Sequence, residues 1–162
     1  MTERLHVDIQ MRFSDLDAYG HVNNVAVLRF LEDARVQVFW TGDAFHDGGH
    51  TVAPYPTAVL DSKAGEGTLT LLAHQEIEYL QPIPPMRAPV DVQMWFGPIG
   101  GASLKAYYEV HSPVSSPEDI TYARAETTLV LVDAATGKPR RVTAEERAAW
   151  EPFIGEPIRF RR

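Results

Sequence analysis

Residues 12–35 read RFSDLDAYGHVNNVAVLRFLEDAR, and the architecture follows from this stretch. Its first half is a polar turn carrying Asp15, Asp17, Gly20, Asn23 and Asn24, residue types that favour turns and helix starts. From about Asn24 to Trp40 the pattern becomes one long helix. Eleven of the sixteen residues from Val25 to Trp40 are apolar. Of the polar exceptions, Arg29, Glu32, Asp33 and Gln37 fall within one stripe, with Arg29 and Asp33 spaced i,i+4 for an ion pair. Arg35 stands apart from that stripe. So wide an apolar face predicts a helix buried on most sides and wrapped by the rest of the chain.

Strand patterns lie on both sides of this helix. Leu5, Val7, Ile9, Met11 and Phe13 alternate with polar residues, which predicts a half-buried first strand. Further alternations run through Leu69, Leu71, Ala73, Gln75, Ile77 and Tyr79, then Val90 to Phe96, Ala102 to Val110, and Tyr122 to Val132. Turn signals separate them at Pro82 to Pro85, at Gly97 to Gly101 and at Ser112 to Pro117. Connections this short join antiparallel neighbours and leave no room for helical crossovers. The expectation is an α+β domain with about five antiparallel strands curved around one helix. A short C-terminal extension begins at about residue 143, where Thr143 and Glu146 have capping-box spacing ahead of Ala148, Ala149 and Trp150. The glycine-rich segment from Gly42 to Gly67 reads as a long, partly mobile excursion.

Composition narrows the function. The 162 residues make one domain, large enough to bury roughly 70% of the unfolded surface without staples. Fifteen basic against 22 acidic residues leave a net charge of −7, which argues against a nucleic-acid or anionic-membrane surface. There is no cysteine, hence no disulfide, thiolate metal site or cysteine nucleophile. The opening MTERLHVDIQMRF has no apolar signal core, and no apolar run approaches the roughly 20 residues of a membrane span. A cytoplasmic protein is expected. Nucleotide-loop, dinucleotide-fold and serine-hydrolase motifs are missing from the sequence. Asp43, His46, Asp47 and His50 gather metal-binding side chains, but the surrounding glycines disfavour a rigid ligand set, so no metal is expected.

The turn and helix resemble the hotdog-fold acyl-CoA thioesterases of the 4-hydroxybenzoyl-CoA thioesterase family. That family opens with a strand, a D-x-D-x-x-G-H-V-N-N-like turn and a buried helix ending in an L-E-x-A-R-like phrase. Here the matching residues are Asp15, Asp17, Gly20, His21, Val22, Asn23 and Asn24, then Leu31, Glu32, Ala34 and Arg35. Ile77 to Pro82 is similar to the family's I-x-Y-L-x-P, and Leu129 to Arg140 to its last strand and tail. The resemblance spans about residues 5 to 142. It implies a hotdog fold, a homodimer or homotetramer with sites at the subunit interface, and no cofactor. It also implies that Asp17 is catalytic and that the backbone amide at Asn24 polarises the thioester carbonyl.

Elementary chemistry supports that placement. Thioester hydrolysis needs a nucleophile or base, and donors where charge develops on the carbonyl oxygen. A carboxylate shortly before a helix start is supplied with both, because the first helical N–H groups lack intrahelical acceptors. Asp15 reads as a structural turn residue. His21 and Asn23 are candidates for substrate contact or for hydrogen-bonding the turn, and Gly20 for a special backbone conformation or a close approach. Ser103, in the GPIGGAS loop, is a candidate substrate contact where many relatives carry a basic residue. Lys138, Arg140 and Arg141 form a basic cluster that could meet the nucleotide end of CoA.

The leading expectation is an acyl-CoA thioesterase using Asp17 as nucleophile or general base, with acyl-CoA as its partner. Two alternatives stay open. One is hydrolysis of acyl groups from acyl carrier protein, docked on the same basic cluster. The other is a non-catalytic hotdog module that binds acyl thioesters.

Overall fold

The computed structural model describes residues 2–41, 55–63 and 66–161. In chain order the elements are β1 (Leu5–Ile9), α1 (Asn24–Phe39), β2 (Ser62–Lys63), β3 (Glu66–Tyr79), β4 (Val90–Ile99), β5 (Ser103–His111), β6 (Thr121–Asp133) and α2 (Ala144–Trp150). Five long strands pair antiparallel in the order β1-β4-β5-β6-β3, and the two-residue β2 adds to the start of β3. The sheet curves over α1, giving the hotdog arrangement expected from the sequence. No helix among the described residues is long and apolar enough to cross a membrane.

The core is the seam between α1 and the sheet's inner face. Val27, Phe30, Leu31, Ala34, Val38 and Phe39 point from α1 into it. Val7 on β1, Val90 to Phe96 on β4, Ala106 to Val110 on β5 and Ala123 to Leu131 on β6 supply the other side. The period-2 pattern of β4 and the 3.6-period pattern of α1 therefore meet as the sequence indicates.

Three details depart from the sequence reading. Phe13 does not extend the first strand: it sits in a short 3-10 turn, Phe13–Asp15, and is 91% exposed. β1 runs out of partner, since Ile9 pairs with Val90, the first residue of β4. The alternation in β3 is not continuous either. A bulge between Leu72 and His74 shifts the register on β6, and such an extra residue exchanges the two faces of a strand. Gln75, Ile77 and Tyr79 thus oppose Thr127, Ala125 and Ala123, whereas before the bulge Leu72 and Thr70 oppose Leu129 and Leu131. Leu69, Leu71 and Leu72 stay exposed, Leu71 by 53%. Finally, α1 is not enclosed all round, for Val25 is 67% exposed.

The C-terminal segment is part of the core. Thr143 caps α2 in a capping box with Glu146, as its spacing indicates. Trp150 at the end of α2 is fully buried, packs edge-on against Phe39 and donates its indole N–H to the Thr57 carbonyl at 3.0 Å. Phe153 follows it into the core, and the Gly155 N–H reaches the Phe96 carbonyl at 2.9 Å. Arg140 braces this corner, gripping Glu146 with two nitrogens and Thr68 with a third.

One carboxylate fastens the turn to α1. Asp15 is buried, and its Oδ2 accepts from the Arg12 N–H at 2.7 Å and from Arg29 Nη2 at 2.8 Å, while Oδ1 accepts from Arg12 Nη2 at 3.1 Å. Its carbonyl also takes the Asn23 N–H at 2.8 Å. Arg29 in turn holds Asp33, the i,i+4 pair read from the sequence. Burial alone would raise the Asp15 carboxyl, but Arg12 and Arg29 outweigh it and hold it below its ordinary 3.8.

Two stability predictions follow from these contacts. Trp150→Ala removes a buried aromatic and should cost about 3 kcal/mol or more, lowering the melting temperature by roughly 6–12 °C in calorimetry. Asp15→Asn should cost roughly 2 kcal/mol at neutral pH. Because the folded carboxyl is lowered, its contribution is present above its unfolded value and is lost as pH falls through the lower folded one. The stability gap between wild type and Asp15→Asn should therefore close below about pH 4, measured by urea unfolding across that range.

Candidate functional site

The turn from Leu16 to Val22 closes on itself, and Asp17 is its hub. The Asp17 N–H donates to the His21 carbonyl at 2.9 Å, and the Gly20 N–H donates to the Asp17 carbonyl at 3.1 Å. Asp17 Oδ1 accepts from the Tyr19 N–H at 2.8 Å and the His21 N–H at 3.4 Å. That is an Asx-turn, the structural use of an aspartate before a helix. It occupies only one oxygen. Oδ2 has no hydrogen-bond donor among the described residues, so the carboxylate is held in place and still has a free face.

Gly20 makes this geometry possible. Its φ is +77°, and a Cβ there would meet nothing within 4 Å. Within one chain the demand is conformational, and no close approach is involved. The Val22 N–H then anchors the end of the turn to the Ile83 carbonyl at 3.0 Å.

Asn23 caps α1, its Oδ1 accepting from the Val25 N–H at 2.8 Å. The cap therefore uses the second helical N–H and leaves the first, at Asn24, without an acceptor among the described residues. The free N–H lies at the positive end of a sixteen-residue helix. Tyr79 at the end of β3 donates its hydroxyl to the Asn24 carbonyl at 3.2 Å. Burial pushes the Tyr79 phenol up, so it stays a donor at neutral pH.

Asp17, His21 and Asn24 share one cleft of about 330 Å³. Val22, Val27 and Ile83 give it apolar walls, and Tyr79, Gln81 and Tyr122 give it a polar margin. The residue with a free carboxylate oxygen and the residue with an unpartnered backbone amide thus line one small cleft. This pair can carry out nucleophilic or general-base attack while stabilising an oxyanion.

The other sequence candidates divide. His21 lines the cleft but is exposed, and within the chain its defined contacts are through its backbone. Asn23 acts as a helix cap beside the cleft and does not line it. Ser103 lies elsewhere. It pairs with Val130, seven residues along β6 from the cleft residue Ala123, or about 23 Å. Within one chain Ser103 and Asp17 are not brought together. Arg140 is committed to Glu146 and Thr68, so of the basic cluster only Lys138 and Arg141 are exposed. Asp43, His46, Asp47 and His50 lie outside the described residues. Among the described residues no group of three His, Asp or Glu side chains is arranged to hold a metal.

Two cleft tyrosines were missed as functional residues in the sequence. Tyr79 was visible only as one position of a strand alternation, although the Pro82 that follows marks where β3 ends and the cleft begins. Tyr122 is separated from Tyr79 by the β4–β5 hairpin. Only the pairing of β3 with β6 joins them.

Comparison with known proteins identifies the fold and the family. A predicted thioesterase from Bacillus stearothermophilus superimposes with a TM-score of 0.68 at 18% identity, covering 96% of this chain and 99% of that one. The PA2801 protein of Pseudomonas aeruginosa gives 0.64 at 27% identity, covering 90% and 95%. A thioesterase from Thermus thermophilus, solved in complex with coenzyme A and zinc, gives 0.62 at 23% identity, covering 94% and 96%. No curated protein matches the sequence significantly. The family model described as the thioesterase-like superfamily matches residues 11–157, from just past β1 to the tail that follows α2. The chain belongs to the thioesterase-like superfamily, and hydrolysis of a thioester is the class of chemistry that membership supports.

Proposed function

We propose that this chain is an acyl-CoA thioesterase, releasing a carboxylic acid and CoA, with Asp17 as the catalytic carboxylate. The observation that carries the reading is the coincidence of the free Asp17 Oδ2 with the unpartnered Asn24 amide in one cleft. The thioester carbonyl would accept a hydrogen bond from the Asn24 N–H, which strengthens as the oxygen gains charge. Asp17 would attack the carbonyl carbon to give a mixed anhydride, or take a proton from an attacking water. In both routes the thiolate leaves and takes up a proton. Water then opens the anhydride in the first route, restoring Asp17, and is itself the attacking group in the second, so the products are the acid and the thiol. His21 and the rim of the cleft would hold the pantetheine end. The coenzyme A bound by the Thermus thermophilus thioesterase favours CoA as carrier over acyl carrier protein.

The same reading asks for a second copy. β3 has fourteen residues, and β2 pairs with only its first two. Among the described residues the rest of that edge has no strand partner, and Leu69, Leu71 and Leu72 beside it are exposed. A long apolar edge of this kind is normally covered. Antiparallel pairing of two β3 edges would lay the Thr68 end of one copy beside the Tyr79 end of the other. Ser103, remote from Asp17 in its own chain, would then approach the cleft of the second copy. A homodimer with two composite sites is the expected assembly, or a homotetramer made from two such dimers.

Three measurements test these statements. A screen of short, long, branched and aromatic acyl-CoAs should find hydrolysis, and Asp17→Asn should lower kcat by roughly a hundredfold or more with little change in KM. Near-normal turnover by folded Asp17→Asn would remove the carboxylate mechanism and favour the binding-module alternative. Sedimentation velocity should show a dimer or tetramer, and Leu71→Arg should shift it toward monomer and reduce turnover with it. A fully active monomer would overturn the composite site.

A further inference from the structure

β6 enters the sheet through an irregularity beside the cleft. Val110 on β5 pairs with Ala123, but the next residue, His111, pairs with Thr121, so Tyr122 is an extra residue in β6. Neighbours in a regular strand point to opposite faces. A bulge lifts that rule and can re-aim a side chain beside a site. Here Tyr122 and Ala123 both line the cleft and both pack into the core. The backbone is pinned on either side of the bulge. The Tyr122 carbonyl accepts from the Leu80 N–H at 2.8 Å and the Gln81 N–H at 3.1 Å, and the Ser112 N–H donates to the Ile120 carbonyl at 2.9 Å.

Three other tyrosines spend their hydroxyls inside the chain: Tyr55 on the His6 carbonyl, Tyr79 on the Asn24 carbonyl and Tyr108 on Thr127. The Tyr122 hydroxyl has no hydrogen-bond partner among the described residues. Yet it is not closed off. Among the described residues the side-chain atoms shut away from solvent without a partner are Arg29 Nε, Arg35 Nη1 and Asp91 Oδ1. Tyr122 is only 5% exposed, so its ring is buried while its oxygen keeps an opening, and the space it lines is the cleft. A buried phenol normally finds a hydrogen-bond partner. Burial also pushes the Tyr122 phenol up, so at neutral pH it keeps its proton and can donate.

The first turn of α1 contributes Asn24 and Val27 to the cleft, and the ends of β3 and β6 contribute Tyr79, Leu80, Tyr122 and Ala123. One tyrosine spans the distance between these walls, since the Tyr79 hydroxyl is 3.2 Å from the Asn24 carbonyl and Tyr79 pairs with Ala123, the neighbour of Tyr122. A thioester oxygen held by the Asn24 N–H has a single donor. Donors aimed at the place where charge develops are the larger part of such catalysis, and each one counts. We infer that the Tyr122 hydroxyl is the second donor, hydrogen-bonding the thioester carbonyl oxygen from the sheet side while the Asn24 N–H bonds it from the helix side. The phenol keeps its proton, and no bond of Tyr122 is made or broken. The inference rests on the thioesterase reading above and adds a catalytic residue to it.

The test is Tyr122→Phe, which removes the hydroxyl and keeps the ring. Its kcat should fall by roughly a hundredfold for short, long and aromatic acyl-CoAs alike, with little change in KM. Its melting curve should not move, because the hydroxyl bonds nothing in the fold. A second measurement is independent of turnover: the infrared carbonyl stretch of a bound CoA ketone, carbon-13 labelled at the carbonyl, with a methylene in place of the thioester sulfur. Two donors weaken that bond more than one, so the stretch should lie lower in wild type than in Tyr122→Phe. An equal stretch in the two proteins overturns the inference, as does near-normal kcat in the variant. A loss confined to acyl groups that carry an oxygen assigns the phenol to acyl recognition and also overturns it. Absence of hydrolysis by wild type strikes at the thioesterase reading, while the stretch of the bound ketone still decides the role of Tyr122. A ketone that wild type does not bind overturns both.

Discussion

The buried carboxylate of Asp15 is the fastening on which the site depends. It joins three pieces of chain: the segment after the first strand through Arg12, the turn through its own backbone, and the helix through Arg29. With the Asn23 N–H held by the Asp15 carbonyl, the start of α1 is set relative to the turn. The direction of the Asn24 amide and the position of Asp17 then follow from the same anchor. A loop alone could not hold a carboxylate and an amide in one cleft, because two flexible segments rarely keep the alignment that catalysis needs.

Asp15 and Asp17 are two residues apart, and their environments set them apart. Asp15 is buried, and both of its oxygens are used by Arg12 and Arg29. It has nothing left to offer a substrate. Asp17 is half-buried and spends one oxygen on the turn. The two familiar readings of an aspartate before a helix, cap or catalyst, are therefore not exclusive here. The Asx-turn orients the Asp17 side chain without a second partner, and that leaves the other oxygen available at the mouth of the cleft.

Much of this was legible because it is local. The Asp-x-Asp turn and the Thr143–Glu146 capping box are specified within a few residues and appear as read. For Gly20 and Asn23 the sequence left two roles open each, and within the chain Gly20 serves a positive φ and Asn23 caps the helix. What the sequence hid is non-local or depends on parity. A one-residue bulge near Ala73 exchanges the faces of β3, so the alternation from Leu69 to Tyr79 reads as one continuous face when it is two. Phe13 continues the apolar rhythm of β1, but β4 begins too late to pair with it. Arg140 looked like a free charge near the end of a strand. Its partner Glu146 lies on α2, where the capping box had already claimed the carboxylate by local reasoning. Ser103 was read from its loop, and strand register puts it at the far end of β6 from Asp17.

Tyr79 connects these levels. It is the last residue of β3, the strand whose edge lacks a neighbour beyond β2 among the described residues, and its hydroxyl reaches the carbonyl of the first residue of α1. Pairing of that edge with a second copy would therefore act on the helix start through one hydrogen bond. The strand end would become less free to fray, and the Asn24 peptide would lose part of its freedom with it. In the proposed reaction Asp17 and the Asn24 amide come from one chain, and the second copy brings Ser103 to their cleft. Assembly would also fix the peptide whose N–H is proposed to meet the developing oxyanion. Stability of the edge and alignment of the amide are then one physical problem, and Tyr79 is the side chain at which they meet.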